Sequence, residues 1–213
     1  MTGPRLAHGY TNLSWVENGQ IVKEYDAADG QERLRVEVAA LGRLAEVVPV
    51  PKVVAVDLVN RRAVLTTMPG RHGQELIDEG FACQVLMAPG RTLRDLHRSV
   101  PGLAHGDYGP QNLLLEVAAW EVSAVLDWEF AHEGDPVEDL AWAEWIVRMH
   151  HPDAVGALFA LFVGYGSQPA WKLRQERMLR KCAALGELCR RRGHTEGAEL
   201  WDHRQRATRT WTE

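Results

Sequence analysis

Asp107 and Asn112 stand five positions apart in "AHGDYGPQN" (104–112), and a second aspartate, Asp127, closes the apolar run "VSAVLDW" (122–128). That spacing suits phosphoryl transfer. One carboxylate accepts the proton of an attacking hydroxyl, a carboxamide five residues on bonds a metal ion, and a second carboxylate holds the metal that bridges nucleotide phosphates. Phosphates also call for a cation carried on a strand and oriented by an acid on a helix. Lys23 ends the strand-like "QIVK", and Glu37 lies mid-way along the helical pattern that follows. Singly, each reads as an ordinary lysine or glutamate on a solvated face. Their order along the chain is what joins them to the two aspartates.

Gly106, Gly109 and Pro110 exclude a regular helix around Asp107, while Leu113 to Leu115 read as a buried strand, so the polar residues sit on a loop gripped by a rigid element. "NLLLE" and "VSAVLDW" then form a strand pair around a turn near 117–121. Further upstream, "NLSWV" and "QIVKEY" flank Asn18-Gly19, a tight-turn dipeptide that predicts a hairpin over 12–25. Leu34, Val38, Leu41 and Leu44 recur at spacings of three and four, predicting a helix from Asp29 to about Val48 that ends at Pro49 and Pro51. Strands "KVVAVDL" and "RAVLTTM" follow, and Pro69-Gly70 reads as a hinge. Beyond it, helices are expected at about 73–79, 81–98 (kinked or split at Pro89-Gly90), 136–149, 153–165, 170–191 and 195–210. Asp135-Pro136-Val137-Glu138 carries an N-cap acceptor, Pro at the first helical position and an acid at the third. The domains expected are 1–68, a small lobe of sheet plus one helix, and 69–213, a mainly helical lobe with the catalytic loop.

With 213 residues, 46% hydrophobic and 25% charged, the chain has enough apolar material for a core. A formal charge of −5 argues against a general nucleic-acid binder. No stretch approaches the roughly 18 apolar residues of a membrane span, and the N-terminus shows no charged segment followed by an apolar one, so a cytoplasmic protein is expected. Cys83, Cys182 and Cys189 make no pairing framework and are expected to be core thiols. His72, His150 and His151 lack metal-site spacing. Trp142 and Trp145, three apart, pack a helix face or box a quaternary ammonium.

The chain resembles the aminoglycoside phosphotransferase and choline kinase family, whose fold is that of the protein kinases. The resemblance spans about residues 9–145 and rests on "AHGDYGPQN", "VLDWEFAHEGDPVEDLAW", "EVAALGRLAEVVPVPKVVAVD" and "LRDLH", in the family's order. It implies an α+β, two-lobed protein kinase-like fold, with Asp107 as catalytic base, Asn112 and Asp127 as Mg²⁺ ligands, Lys23 on the phosphates of ATP or GTP, and Glu37 positioning Lys23. By the same resemblance His105 and Asp139 brace the catalytic loop, and the backbone of Thr66 to Met68 reads the edge of the nucleotide base. Strand alternation adds Ile21, two before Lys23, and Leu114, two after Asn112, as apolar faces for that base. Ser14 belongs to "GYTNLS" (9–14), which stands in place of a three-glycine phosphate loop.

The function expected is therefore a small-molecule kinase, a monomer that moves the γ-phosphate onto a hydroxyl of an aminoglycoside or other hydroxylated antibiotic. A metabolic sugar or amino-alcohol kinase is the nearest alternative. A nucleotide-binding pseudokinase is the alternative from another class. Glu129, Glu133 and Glu144 are expected to draw a cationic acceptor. A protein kinase is disfavoured, because Asp127 is followed by Trp128 and Glu129 instead of the Phe-Gly of that group.

Overall fold

The computed structural model describes residues 12–213. Strands β1 (Leu13–Glu17) and β2 (Gln20–Glu24) form the expected hairpin, with Asn18 at φ 51° and Gly19 at φ 75°, the left-handed pair that a two-residue turn requires. Helix α1 (Gly30–Leu44) follows, then β3 (Val53–Asp57) and β4 (Arg62–Thr66). The four strands make one antiparallel sheet in the order β1-β2-β4-β3. Its register sets Lys23 opposite Ser14 on one side and Ala63 on the other, with Ile21 opposite Leu65. Residues opposite one another share a face, so Ser14, Ile21, Lys23 and Leu65 project together. Leu34, Glu37, Leu41 and Leu44 make the buried stripe of α1. The helix ends before the expected Val48, because the amides of Val47 and Val48 both fold back onto the Leu44 carbonyl ahead of Pro49.

After β4 the chain turns at Pro69-Gly70. Gly70 has φ +124°, and a Cβ there would strike Ser123 Oγ, which donates to the Pro69 carbonyl at 2.6 Å. Only glycine fits that turn. Strand β5 (Arg71–His72) pairs with the later β7, and helices α2 (Gly73–Asp78) and α3 (Ala82–Ser99) follow. Strand β6 (Leu103–Ala104) leads into the polar loop, which a 3₁₀ turn at Pro110–Asn112 delivers to β7 (Leu113–Glu116), paired with β8 (Glu121–Val125). After Asp127 come β9 (His132–Glu133), paired with β6, and helices α4 (Pro136–His150), α5 (Leu158–Tyr165), α6 (Trp171–Arg191) and α7 (Thr195–Thr210). The architecture is the expected α+β arrangement of a small sheet-plus-helix lobe and a mainly helical one. Among the described residues, no helix is long and apolar enough to cross a membrane.

Three elements differ from expectation. Helix α3 is one assigned helix through Pro89-Gly90. The Pro89 carbonyl accepts the Tyr108 hydroxyl at 2.9 Å, and Gly90 lets the Leu161 carbonyl of α5 approach its Cα, so tertiary packing outweighs one lost helical hydrogen bond. Residues 152–157 form a 3₁₀ turn before α5 rather than its first turns. Of the cysteines, Cys182 is buried and Cys189 half-buried, while Cys83 is exposed on α3.

Two clusters fill the interior: the main one links α1, α3, α5 and the β7–β8 pair, and a second joins Trp142, Trp145 and Ile146 of α4 to Met178 and Cys182 of α6. Trp142 and Trp145 stack at 4.4 Å between centroids and 4° between planes. Core packing is thus their arrangement. The tightest helix contact is α3 against α5, where a Cβ at Gly164 would meet the Met87 carbonyl. Gly164→Ala is expected to destabilise the fold by about 1–3 kcal/mol, whereas Gly42→Ala, on the open side of α1 with nothing within 4 Å, should stabilise it by about 0.5–1 kcal/mol. Urea unfolding of the two variants checks both signs.

Candidate active site

The polar loop is built around a buried carboxylate. Asp139, in the first turn of α4, accepts the backbone N–H groups of His105 at 2.8 Å and Gly106 at 3.0 Å, with His97 Nε2 at 3.3 Å. Burial pushes its pKa up, but these donors more than offset that and hold it below the usual carboxylate range. Gly106 has φ +80° with the Phe130 carbonyl where a Cβ would lie, so the loop tolerates nothing larger there. His105 bridges the loop, with Nδ1 against the Asp107 amide at 3.1 Å and Nε2 against the Leu126 carbonyl at 2.8 Å.

This bracing aims Asp107. Its Oδ1 accepts the Trp142 indole N–H at 2.8 Å, and its Oδ2 accepts Asn112 Nδ2 at 2.9 Å. Asn112 Nδ2 also donates to the Asp107 carbonyl at 2.8 Å, which leaves the carboxamide oxygen turned away from the loop. Burial raises the Asp107 pKa, and the Trp142 hydrogen bond, Lys181, His105 and Asn112 only partly offset it.

Lys23 gathers the second set of charges. Its Nζ lies 2.7 Å from Glu37 Oε2, 2.8 Å from Asp127 Oδ1 and 3.9 Å from Glu129 Oε2. Burial alone would discharge the ammonium; the Asp127 and Glu37 carboxylates overcome it and hold Lys23 protonated. Asp127 is likewise kept ionised by Lys23 against its burial. It sits at φ 60°, a left-handed residue between β8 and the 3₁₀ turn Trp128–Phe130. Tyr25, one residue beyond β2 and two after Lys23, donates to Glu37 Oε2 at 2.5 Å. Strand alternation would have found Tyr25.

A cleft of about 310 Å³ opens between the lobes. Lys23, Glu37 and Asp127 line its polar end, and Ile21, Leu114, Ser14, Thr66 and Met68 are in its walls. The Thr66 amide is already bonded to the Lys52 carbonyl at 2.9 Å, so it is not free to read a ligand edge. His72 and Gln111 also line the cleft, unforeseen from the sequence. Residues 9–11 of "GYTNLS" lie outside the described residues.

The acidic trio separates. Glu129 is buried, accepting from Asn12 at 2.6 Å and Arg33 at 2.8 Å. Glu144 is buried between Arg148 Nε, at 2.9 Å, and Arg174. Neither presents charge to an acceptor, because each neutralises an arginine inside the protein. Only Glu133 is exposed. Asp135 caps α4 as expected, accepting from Val137 N at 2.9 Å, while Glu138 turns to His132 Nε2 at 3.0 Å instead of closing a capping box. Trp142 and Lys181 were missed as neighbours of Asp107; the three-residue step from Asp139 to Trp142 on α4 carried the first signal, and nothing in the local sequence carried the second.

Comparison with known proteins finds likeness at two levels. Residues 78–179 match the model of the phosphotransferase enzyme family. That segment holds the polar loop, Asp127 and α4, and the match agrees with the resemblance read from the sequence. The chain superposes on an APH(2″) enzyme in complex with GDP and kanamycin, at a TM-score of 0.69 and 12% identity over 96% of this chain and 93% of that one. It also superposes on a mutant of the aminoglycoside phosphotransferase APH(4)-Ia in ternary complex with ADP and hygromycin B (TM-score 0.65, 16% identity, 96% and 92% covered). A third is the macrolide 2′-phosphotransferase MphH from Brachybacterium faecium (TM-score 0.66, 17% identity, 99% and 93% covered). These likenesses establish the two-lobed kinase-like fold. No curated protein matches the chain in sequence.

Removing the brace tests the architecture of the loop. Asp139→Ala leaves two buried amides and His97 without their acceptor, and is expected to cost about 2–5 kcal/mol of stability. Chemical denaturation of the variant against wild type measures it.

Proposed function

We propose that the protein is a small-molecule kinase that transfers the γ-phosphate of ATP or GTP to a hydroxyl of a hydroxylated antibiotic or a comparable small alcohol. Residues 1–68 supply the phosphate-binding sheet, and residues 69–213 supply the catalytic loop and the acceptor side. The observation that carries this reading is an Asp107 carboxylate fixed at both oxygens, on a loop whose Gln111 lines the same cleft as the Lys23–Glu37–Asp127 cluster. The ligands of the superposable structures, kanamycin and hygromycin B among them, favour an antibiotic acceptor. A supply of ATP and GTP places the activity in the cytoplasm.

In this reading the nucleotide base lies between Ile21 and Leu114, and the Lys23 ammonium, held by Glu37, meets the phosphates. Asp127 and the outward Asn112 carboxamide oxygen are two hard oxygen donors, which fits Mg²⁺, an ion that takes one or two protein oxygens and completes its shell with phosphates and water. When bound, the ion would offset the charge of the phosphates. Asp107 orients the acceptor hydroxyl and takes its proton as the hydroxyl oxygen bonds to the γ-phosphorus. The bond to the β-phosphate oxygen breaks, and the nucleoside diphosphate leaves.

Two measurements test the assignment. With the best acceptor from a panel of antibiotics, sugars and amino alcohols, Asp107→Asn should lower turnover by about 10² to 10⁴ at nearly unchanged nucleotide affinity. Asp127→Asn should impair metal-dependent nucleotide binding and turnover together. Nucleotide binding without transfer to any acceptor, or full activity in Asp107→Asn, would leave a nucleotide-binding module in place of the enzyme. The pH profile gives an independent check. The Trp142 N–H stabilises the charged form of Asp107, so Trp142→Phe raises that pKa, and the acidic limb of kcat/KM should move to higher pH than in wild type.

A further inference from the structure

A second cavity, of about 260 Å³, shares no lining residue with the nucleotide cleft. Gly106 and Trp142, which flank Asp107 in sequence and by hydrogen bond, form part of its wall. Helix α6 contributes Arg177, Arg180 and Lys181. Positions three and four apart lie on one helical face, so three cations converge on a space beside the Asp107 loop.

The acids at this cavity are already engaged. Asp139 receives the His105 and Gly106 amides and His97, and Glu138 is bonded to His132. The cations are less fully engaged. Lys181 Nζ donates to the Gly106 carbonyl at 2.6 Å and lies 5.7 Å from the ring centroids of Phe130 and of Trp142, and among the described residues no carboxylate forms an ion pair with it. An ammonium has three donors, and this one uses a single backbone acceptor. Arg177 reaches Asp135 at 3.1 Å through one terminal nitrogen and Glu176 at 3.6 Å through the other, while its Nε is buried without a partner among the described residues. Among the described residues Arg180 is tied only to Glu176 on the surface, at 2.9 Å. Burial pulls the Lys181 pKa down, and the nearby acids Asp107, Asp139 and Glu138 only partly offset it. Lys181 and the Arg177 Nε thus keep donors to spare, while the carboxylates at the cavity are bonded elsewhere.

We propose that this cavity seats an anionic group of the acceptor, a carboxylate or a phosphate, while the acceptor's hydroxyl meets Asp107. The inference deepens the kinase reading and rests on it. It sets polycationic aminoglycosides below hydroxylated acids and phosphorylated alcohols, because an ammonium placed here would face Arg177, Arg180 and Lys181 with no free acid to receive it.

The test uses the full chain and a panel of hydroxylated compounds matched in size: neutral alcohols, amino alcohols, hydroxy acids and phosphorylated alcohols. Binding is read by calorimetry with a non-hydrolysable nucleotide present, and transfer by nucleotide consumption. Hydroxy acids or phosphorylated alcohols should bind and react best, with the ranking between those two arms telling carboxylate from phosphate. Their affinity should fall about ten- to hundredfold in Lys181→Met and a few-fold in Arg180→Gln at the exposed rim, with nucleotide affinity unchanged. Arg180→Gln keeps the test valid should Lys181→Met lose its fold. Better binding by neutral or cationic compounds, an equal affinity in both variants, or no binding by any anionic member overturns the proposal. The kinase reading fails by a separate signature, nucleotide affinity that is indifferent to Lys23→Met and to metal.

Discussion

A buried ammonium with three carboxylates around it is the constraint on which the arrangement of the two lobes depends. Lys23 comes from a strand, Glu37 from the helix after it, and Asp127 and Glu129 from the turn beyond β8 more than a hundred residues later. Stripping water from such a charge costs several kcal/mol per ion, so none of the four is stable unless the others are present. Arg33 and Asn12 complete the set by binding the Glu129 carboxylate, and Arg192 at the end of α6 reaches Asp29 at the start of α1. The small sheet, its helix and the larger lobe are thus tied by charge as well as by apolar packing. The same charges face the cleft where phosphates would lie. In the proposed reading, holding the fold together and preparing a phosphate site are one electrostatic arrangement.

Helix α4 plays the matching part on the other side of Asp107. Its start is fixed by the Asp135 cap and by Pro136 at its first position. One turn later Asp139 holds the loop by two backbone amides, and three residues further Trp142 holds the Asp107 carboxylate itself. Two contacts from one rigid element, on one helical face, fix the loop's direction as well as its position. The stack of Trp142 on Trp145, whose indole N–H donates to Thr208 Oγ1 at 2.8 Å, carries that support on into α7. The C-terminal helices therefore bear on the geometry of a residue far from them in sequence.

What could be read from the sequence follows from how local each cause is. The Asn18-Gly19 hairpin, the apolar stripe of α1 and the Asp135 cap depend on neighbours within a few residues, and these elements form where expected. Lys23 and Glu37 were legible as a pair because strand and helix are consecutive and a buried cation needs an acid. Glu129 and Glu144 were misjudged for the opposite reason. Arg33 lies 96 residues from Glu129, and Arg174 lies 30 from Glu144, whose local partner Arg148 alone reads as an ordinary surface pair. The break expected at Pro89-Gly90 failed similarly, since the contacts with Tyr108 and α5 that keep α3 whole are tertiary.

Lys181 couples the two sides of the catalytic loop. Its ammonium is among the influences that hold the Asp107 pKa below the value burial alone would impose, and it also faces the cavity beside Gly106. An anion seated there would neutralise part of that charge, and the Asp107 pKa would rise. A carboxylate with a higher pKa is a stronger base while it stays ionised, so an anionic acceptor would strengthen the group that takes its proton. A cationic acceptor would act in the opposite sense, lowering the pKa and weakening the base, besides meeting three like charges. If the proposed acceptor anion binds there, selection at this cavity would act on the chemical step as well as on binding, because one buried lysine bears on both.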